Sequence, residues 1–157
     1  MLVLYKDEIE DDAFSAFNQL ISVYWFIQPH HSWTKMALEN GVKVYRYQFT
    51  KENGYYGTYH SGEMIYCYGN VKKSPYNYRY DQSDRDLSET MLSYWSNFAK
   101  TGNPNDTNLP EWSEYSTSSG DVMELGKHVG PIKDKYAKVY SIIEEYIDQQ
   151  LVEELKA

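Results

Sequence analysis

Residues 42–50, VKVYRYQFT, are the one long run of this 157-residue chain dominated by β-branched and aromatic side chains. A helical pattern runs straight into them, because HSWTKMALENG ends on Asn40 and Gly41, the usual stop. A helix that feeds a strand without a hairpin is α/β wiring. Elsewhere the apolar residues recur at helical spacing. Phe14, Phe17, Leu20, Ile21 and Tyr24 share one face behind Asp7, which with Glu10 reads as a capping box, and Pro29 interrupts the run. From Ser83, with Asp86 as its reciprocal cap, Leu87, Met91, Tyr94, Trp95 and Phe98 line a helix that stops at Gly102 with Pro104 behind it. Pro131 is expected to open a last long helix carrying Ile132, Tyr136, Val139, Ile143, Ile147 and Leu151. The one further strand candidate is DVMEL, residues 121–125.

The fold class expected is therefore α/β, mainly helical, with one good strand at about 42–50 and one short strand at about 121–125. Two strands alone make a marginal sheet. Helices patterned to cover a sheet, with so little sheet to cover, imply that residues 1–157 are one partial domain whose missing part precedes Met1.

Composition narrows the function classes. The net charge of -8 is spread along the chain, and no basic stripe exists to neutralise phosphates, so nucleic acid is not an expected partner. One cysteine, Cys67, rules out an intrachain disulfide and a Cys-rich zinc site, and His30, His31, His60 and His128 show no metal-ligand spacing, so neither a metal nor another cofactor is expected. No run of 18 apolar residues is present, and MLVLYKDEIEDD is acidic where a signal peptide is basic. A soluble protein of the cytoplasm, away from membranes, is the expectation. Seventeen tyrosines against five phenylalanines is a bias towards amphipathic aromatics, which bind things or face another protein layer.

The densest chemistry lies in GYYGTYHSGEMIYCYGN, residues 54–70, where His60 follows the predicted strand. Taken alone, a histidine in a Tyr- and Gly-rich loop is more often a surface or hydrogen-bonding residue than a catalytic one. The order of NGVKVYRYQF, GTYHSGEMIYCYGN, LSETMLSYWSNFAKTGNPN and LPEWSEYS, however, resembles the C-terminal third of the type-B carboxylesterase and cholinesterase family, of the para-nitrobenzyl-esterase kind, over roughly residues 2–147. The resemblance implies an α/β-hydrolase fold, a small-molecule carboxylic ester as substrate, and a serine, an acidic residue and a histidine in that chain order. His60 matches the family histidine. In that role its imidazole takes the proton of the serine hydroxyl during attack on the ester carbonyl and returns it to the leaving alcohol.

The nucleophile is a separate matter. A nucleophile elbow needs G-x-S-x-G, and no serine has both glycines: Ser61 stands between Tyr59 and Glu63, Ser118 between Ser116 and Gly120. In the family the serine, the acid and the oxyanion loop all lie upstream of the histidine. A dyad of His60 with adjacent Ser61 has poor geometry for proton transfer. Glu63 matches a family glutamate and reads as support for the loop, and Cys67 between Tyr66 and Tyr68 reads as a small buried residue. Where relatives read D-x-x-F-x-x-P, Phe26 and Pro29 are present but Val23 takes the acidic position, so packing is expected in place of an ionic contact. His30 and His31 are expected to be exposed, SPYNYRYDQ to lie on the surface, and Trp33, Trp95 and Trp112 to join the core. NDT, residues 105–107, fits the glycosylation pattern.

Two functions compete. One is an ester-hydrolase segment that supplies His60 and is inactive alone; the other is a non-catalytic module whose tyrosines between residues 55 and 80 dock a glycan or a protein. In either case self-association, or capture of the missing N-terminal part, is expected.

Overall fold

The computed structural model describes residues 6–52, 57–76 and 79–155, and of residues 6–9 and 151–154 the backbone alone. Tyr55, Tyr56 and Tyr78 of the tyrosine-dense stretch, and the Leu151 side chain, lie outside what is described. The chain divides into two compact units, residues 1–44 with 134–157, and residues 45–133.

The first unit is helical. Helix α1 (Lys6–Ser22) is kinked at Asp12, whose backbone is extended at φ -149, ψ 89. The Asp12 carboxylate accepts from the Ser15 backbone N–H at 3.1 Å, so the cap sits at Asp12, directly before the apolar run, and Asp7 lies inside the helix. A π-helical turn, Val23–Ile27, continues into α2 (Gln28–Glu39). Pro29 therefore does not interrupt the path. It falls in the first turn of α2, directly behind the π-helical turn. Val23 is fully buried, as packing in place of an ion pair requires. The stop is as read: Gly41 has φ +71 and its N–H bonds Leu38 O at 3.0 Å.

The last helix, α5 (Ala137–Glu154), starts six residues after Pro131. Its approach is set by buried Asp134, which accepts from Tyr136 N at 2.9 Å and from the Tyr140 hydroxyl at 3.1 Å. Helices α2 and α5 meet where the His31 ring stacks on Tyr140, centroids 3.9 Å apart, and Lys35 Nζ reaches Glu144 Oε1 at 2.9 Å. The Glu144 bond raises the Lys35 pKa. His31 is thus largely enclosed, while His30 is exposed. Trp33 is no core residue; 73% of it is exposed.

The second unit holds a three-stranded sheet ordered β1-β2-β3. Strand β1 (Tyr47–Phe49) runs parallel to β2 (Asp121–Leu125), with Tyr47 opposite Met123 and Phe49 opposite Leu125. Antiparallel to β2 lies β3 (Val129–Lys133), with Pro131 opposite Met123. Pro131 hence belongs to an outer strand, where a residue without an N–H is tolerated. Only three of the nine residues from 42 to 50 are strand, because β1 has a ladder on one side alone within the described sheet and β2 is short.

The crossover between β1 and β2 carries α3 (Met64–Cys67), a 3-10 turn (Val71–Lys73) and α4 (Gln82–Thr101). The α4 cap is Asp81 with Asp84, not Ser83 with Asp86. Asp84 N donates to Asp81 Oδ1 at 3.1 Å, Asp81 N donates to Asp84 Oδ2 at 2.7 Å, and the Ser83 hydroxyl serves the cap by donating to Asp81 Oδ1 at 2.6 Å. Those bonds, Ser83's first, hold the Asp81 carboxyl down to about 2. Gly102, at φ +74, ends the helix as read.

Tyr66, Leu87, Met91, Tyr94, Trp112, Met123 and Leu125 form the core of this unit. Trp112 Nε1 donates to Arg46 O at 3.1 Å, tying the core to the approach of β1. The Asn105 amide is committed to the same place: its Nδ2 donates to Trp112 O at 2.9 Å and its Oδ1 accepts from Trp112 N at 2.7 Å. A side chain so engaged is not presented for glycosylation.

Candidate active site

The loop that carries His60 leaves the sheet as an extension of β1. Thr50 N donates to Leu125 O at 2.9 Å and the Thr50 hydroxyl to Glu124 Oε1 at 2.7 Å. A Cβ at Gly126 would lie 2.0 Å from Thr50 Oγ1, so any other residue there displaces the Thr50 hydroxyl from its bond to Glu124. The chain then turns twice around Tyr59 to Gly62: Gly62 N donates to Tyr59 O at 2.9 Å and Met64 N to Ser61 O at 3.2 Å. Helix α3 follows at once.

Within this turn His60 is exposed. Directly after it, Ser61 holds φ +66, and among the described residues it is the one non-glycine with a positive φ. A side chain in that region is strained by about 1–2 kcal/mol, and such strain gathers at functional sites. Next to it no side chain fits at Gly62, whose Cβ would lie 2.9 Å from Tyr59 O. The result is an imidazole presented on a turn whose backbone is fixed at each following residue.

Glu63 has helical backbone, φ -72 and ψ -21, and its carbonyl accepts from Tyr66 N at 3.0 Å and Cys67 N at 3.1 Å. It stands at the N-terminus of α3, where its side chain makes no capping hydrogen bond. Cys67 is buried, and burial, with Glu63's charge added, pushes its thiol up. A thiol kept neutral is no nucleophile.

The tyrosines divide into two groups. Tyr66 is fully buried, Tyr80 packs edge-on against it, and Tyr59, Tyr68 and Tyr76 are exposed. A separate hollow of about 190 Å³ is lined by Tyr45, Tyr47, Tyr94, Trp95, Phe98 and Trp112 with Pro104. Burial pushes Tyr94 up to about 12, and its hydroxyl donates to Pro110 O at 2.6 Å. Among the described residues no group of three His, Cys, Asp or Glu side chains is placed to hold a metal.

Sequence reasoning missed the polar support beneath the loop. Lys51, Asp84 and Tyr66, three buried residues, meet there. Lys51 ends a strand pattern and Asp84 sits in a cap, positions at which charged residues are normally solvated, so nothing in the spacing marks them.

Comparison with known proteins bears on this geometry. The profile of the carboxylesterase family matches residues 3–141. Bile salt-activated lipase of Rattus norvegicus is 28% identical over 135 residues, which cover 73% of this chain and 22% of the lipase. Its Homo sapiens counterpart is 34% identical over 103 residues, 60% of this chain and 13% of that protein. Acetylcholinesterase 1 of Caenorhabditis briggsae is 29% identical over 143 residues, 78% of this chain and 22% of the relative. The crystal structure of a Geobacillus stearothermophilus carboxylesterase superposes with a TM-score of 0.70 over 80% of this chain and 27% of its own, at 19% identity, which shows a shared α/β-hydrolase fold. At 13–22% of their length, the chain spans less than a quarter of each of these curated relatives.

Proposed function

The chain belongs to the carboxylesterase family, and from that premise we propose that it is the C-terminal segment of a serine-dependent carboxylic ester hydrolase and supplies the catalytic histidine, His60. The observation that carries the reading is an exposed imidazole on the turn between β1 and α3, followed directly by a residue held in the left-handed region. His60 removes the proton of a serine hydroxyl as it attacks the ester carbonyl, then delivers it to the departing alkoxide. The substrate is a small-molecule ester bound by the complete enzyme.

The serine and the acid that orients the imidazole come from outside residues 1–157, where no G-x-S-x-G occurs. Purified residues 1–157 are therefore expected not to hydrolyse a p-nitrophenyl ester above the buffer rate. Turnover that persists through removal of trace contaminants and vanishes in His60→Ala contradicts this. A second reading, a docking module, is favoured by exposed Tyr59, Tyr68 and Tyr76. Mutating all three to serine abolishes binding of a partner in that case and leaves esterase complementation unchanged in the first.

A further inference from the structure

Lys51 and Asp84 are buried charges, 6% and 5% exposed, and each is tolerated only through its partners. Lys51 Nζ donates to Ser83 Oγ at 2.7 Å and lies 3.2 Å from Asp84 Oδ1. The Tyr66 hydroxyl donates to the same oxygen at 2.8 Å, while Asp84 Oδ2 accepts from Asp81 N at 2.7 Å. One carboxylate in the first turn of α4 thus collects a cation from the exit of β1, a phenol from α3 and an N–H from its own cap. One turn further on, Ser88 Oγ donates to the Tyr66 carbonyl at 3.0 Å and ties α3 to α4 again. Burial, with the Asp84 bond added, raises the Tyr66 phenol far above its ordinary range, which favours the protonated form that donates to Asp84.

The placement matters more than the count of bonds. Residues 51 and 66 bracket the loop on which His60 stands, and a loop of this length closed only by its flanking elements keeps much conformational freedom. A buried ion pair is a poor device for stability alone, because apolar side chains of the same volume do as well or better. What it supplies is one geometry. We propose that Lys51, Tyr66 and Asp84 are positioning residues, which tie both ends of the His60 loop to a single carboxylate and so fix the imidazole for proton transfer. This rests on the reading of His60 as the working base.

The test has two arms. In the 157-residue chain, the Gly62 and Met64 amides report the turn around His60, and Met91 to Trp95 report the body of α4. Tyr66→Phe, which removes only the hydroxyl, and Asp84→Asn, which loses the charge and puts an NH2 donor in place of one of the two acceptor oxygens, are expected to speed exchange at Gly62 and Met64 by about tenfold while Met91 to Trp95 are unchanged. Lys51→Met does the same and Lys51→Arg restores protection. Unchanged exchange at Gly62 and Met64, or equal acceleration along α4, overturns the proposal. In the second arm the chain is complemented by an upstream esterase part bearing the serine and the acid. Tyr66→Phe and Lys51→Met then lower kcat by about tenfold with KM unchanged, and Lys51→Arg recovers it; a rise in KM at constant kcat contradicts a positioning role. Activity that survives His60→Ala defeats the reading of His60, and with it any catalytic purpose of the clamp, whatever the exchange arm shows.

Discussion

Ser61 stores local strain beside the residue proposed to do chemistry. At φ +66 its Cβ crowds the backbone, and glycine is the residue that adopts this region freely. Ser61→Gly removes the strain but gives the unfolded chain more freedom, so its net effect on unfolding free energy should stay within about 1 kcal/mol. Ser61→Val has the opposite expectation. A β-branched side chain tolerates this region least and should cost about 1–2 kcal/mol more, visible as a lowered urea midpoint at constant slope. Equal midpoints for valine and wild type would show that the turn relaxes and that Ser61 is not held. At this scale the sequence was informative about identities and silent about surroundings. Cys67 reads as buried because two tyrosines flank it, and it is buried. His31 reads as exposed beside Pro29, yet stacking on Tyr140 encloses it, a contact made across 109 residues that no local pattern displays. The meeting of Lys51 with Asp84 is hidden for the same reason.

Element by element, the long helices and β2 were legible and their ends less so. Helix α4 was expected from Ser83, but Asp81 caps it, because an aspartate two residues upstream offers an acceptor with a full charge and Ser83 donates to it. This shift carries a pH dependence whose sign follows from the bonds. They favour ionised Asp81, so its folded pKa, about 2, lies below the ordinary 3.8. The stability it contributes is complete above the unfolded value and is lost as pH falls from 3.8 towards about 2. Urea midpoints of wild type and Asp81→Ala should differ at neutral pH and converge near the bottom of that window; parallel curves would place the cap elsewhere. Strand β3 was missed because Pro131 reads as a helix start. The proline instead occupies an outer strand, and buried Asp134 delays α5 to Ala137. Strand β1 was overread for the converse reason: strand propensity runs over residues 42–50, but ladder bonds need a partner, and β2 supplies one for only part of that run.

At the scale of the molecule, the mismatch between helices and sheet was the most informative signal in the sequence. Phe14 and Phe17 on α1 are 76% and 59% exposed, and β1 forms the outer edge of the described sheet. Apolar faces and open strand edges of this kind favour burial against another chain. Sedimentation of residues 1–157 is therefore expected to show dimers or larger species at micromolar concentration. A clean monomer with a cooperative melt would show that the chain closes its own core. The central claim, that His60 is the working histidine of a carboxylesterase-family hydrolase, is tested most directly by complementation. An upstream part of a family member, carrying the G-x-S-x-G serine and the acid, is combined with residues 1–157, and hydrolysis of a p-nitrophenyl ester is followed. Activity is expected on mixing and should fall at least about a thousandfold in His60→Ala with assembly intact; assembly that forms and turns over equally well without the His60 imidazole contradicts the account.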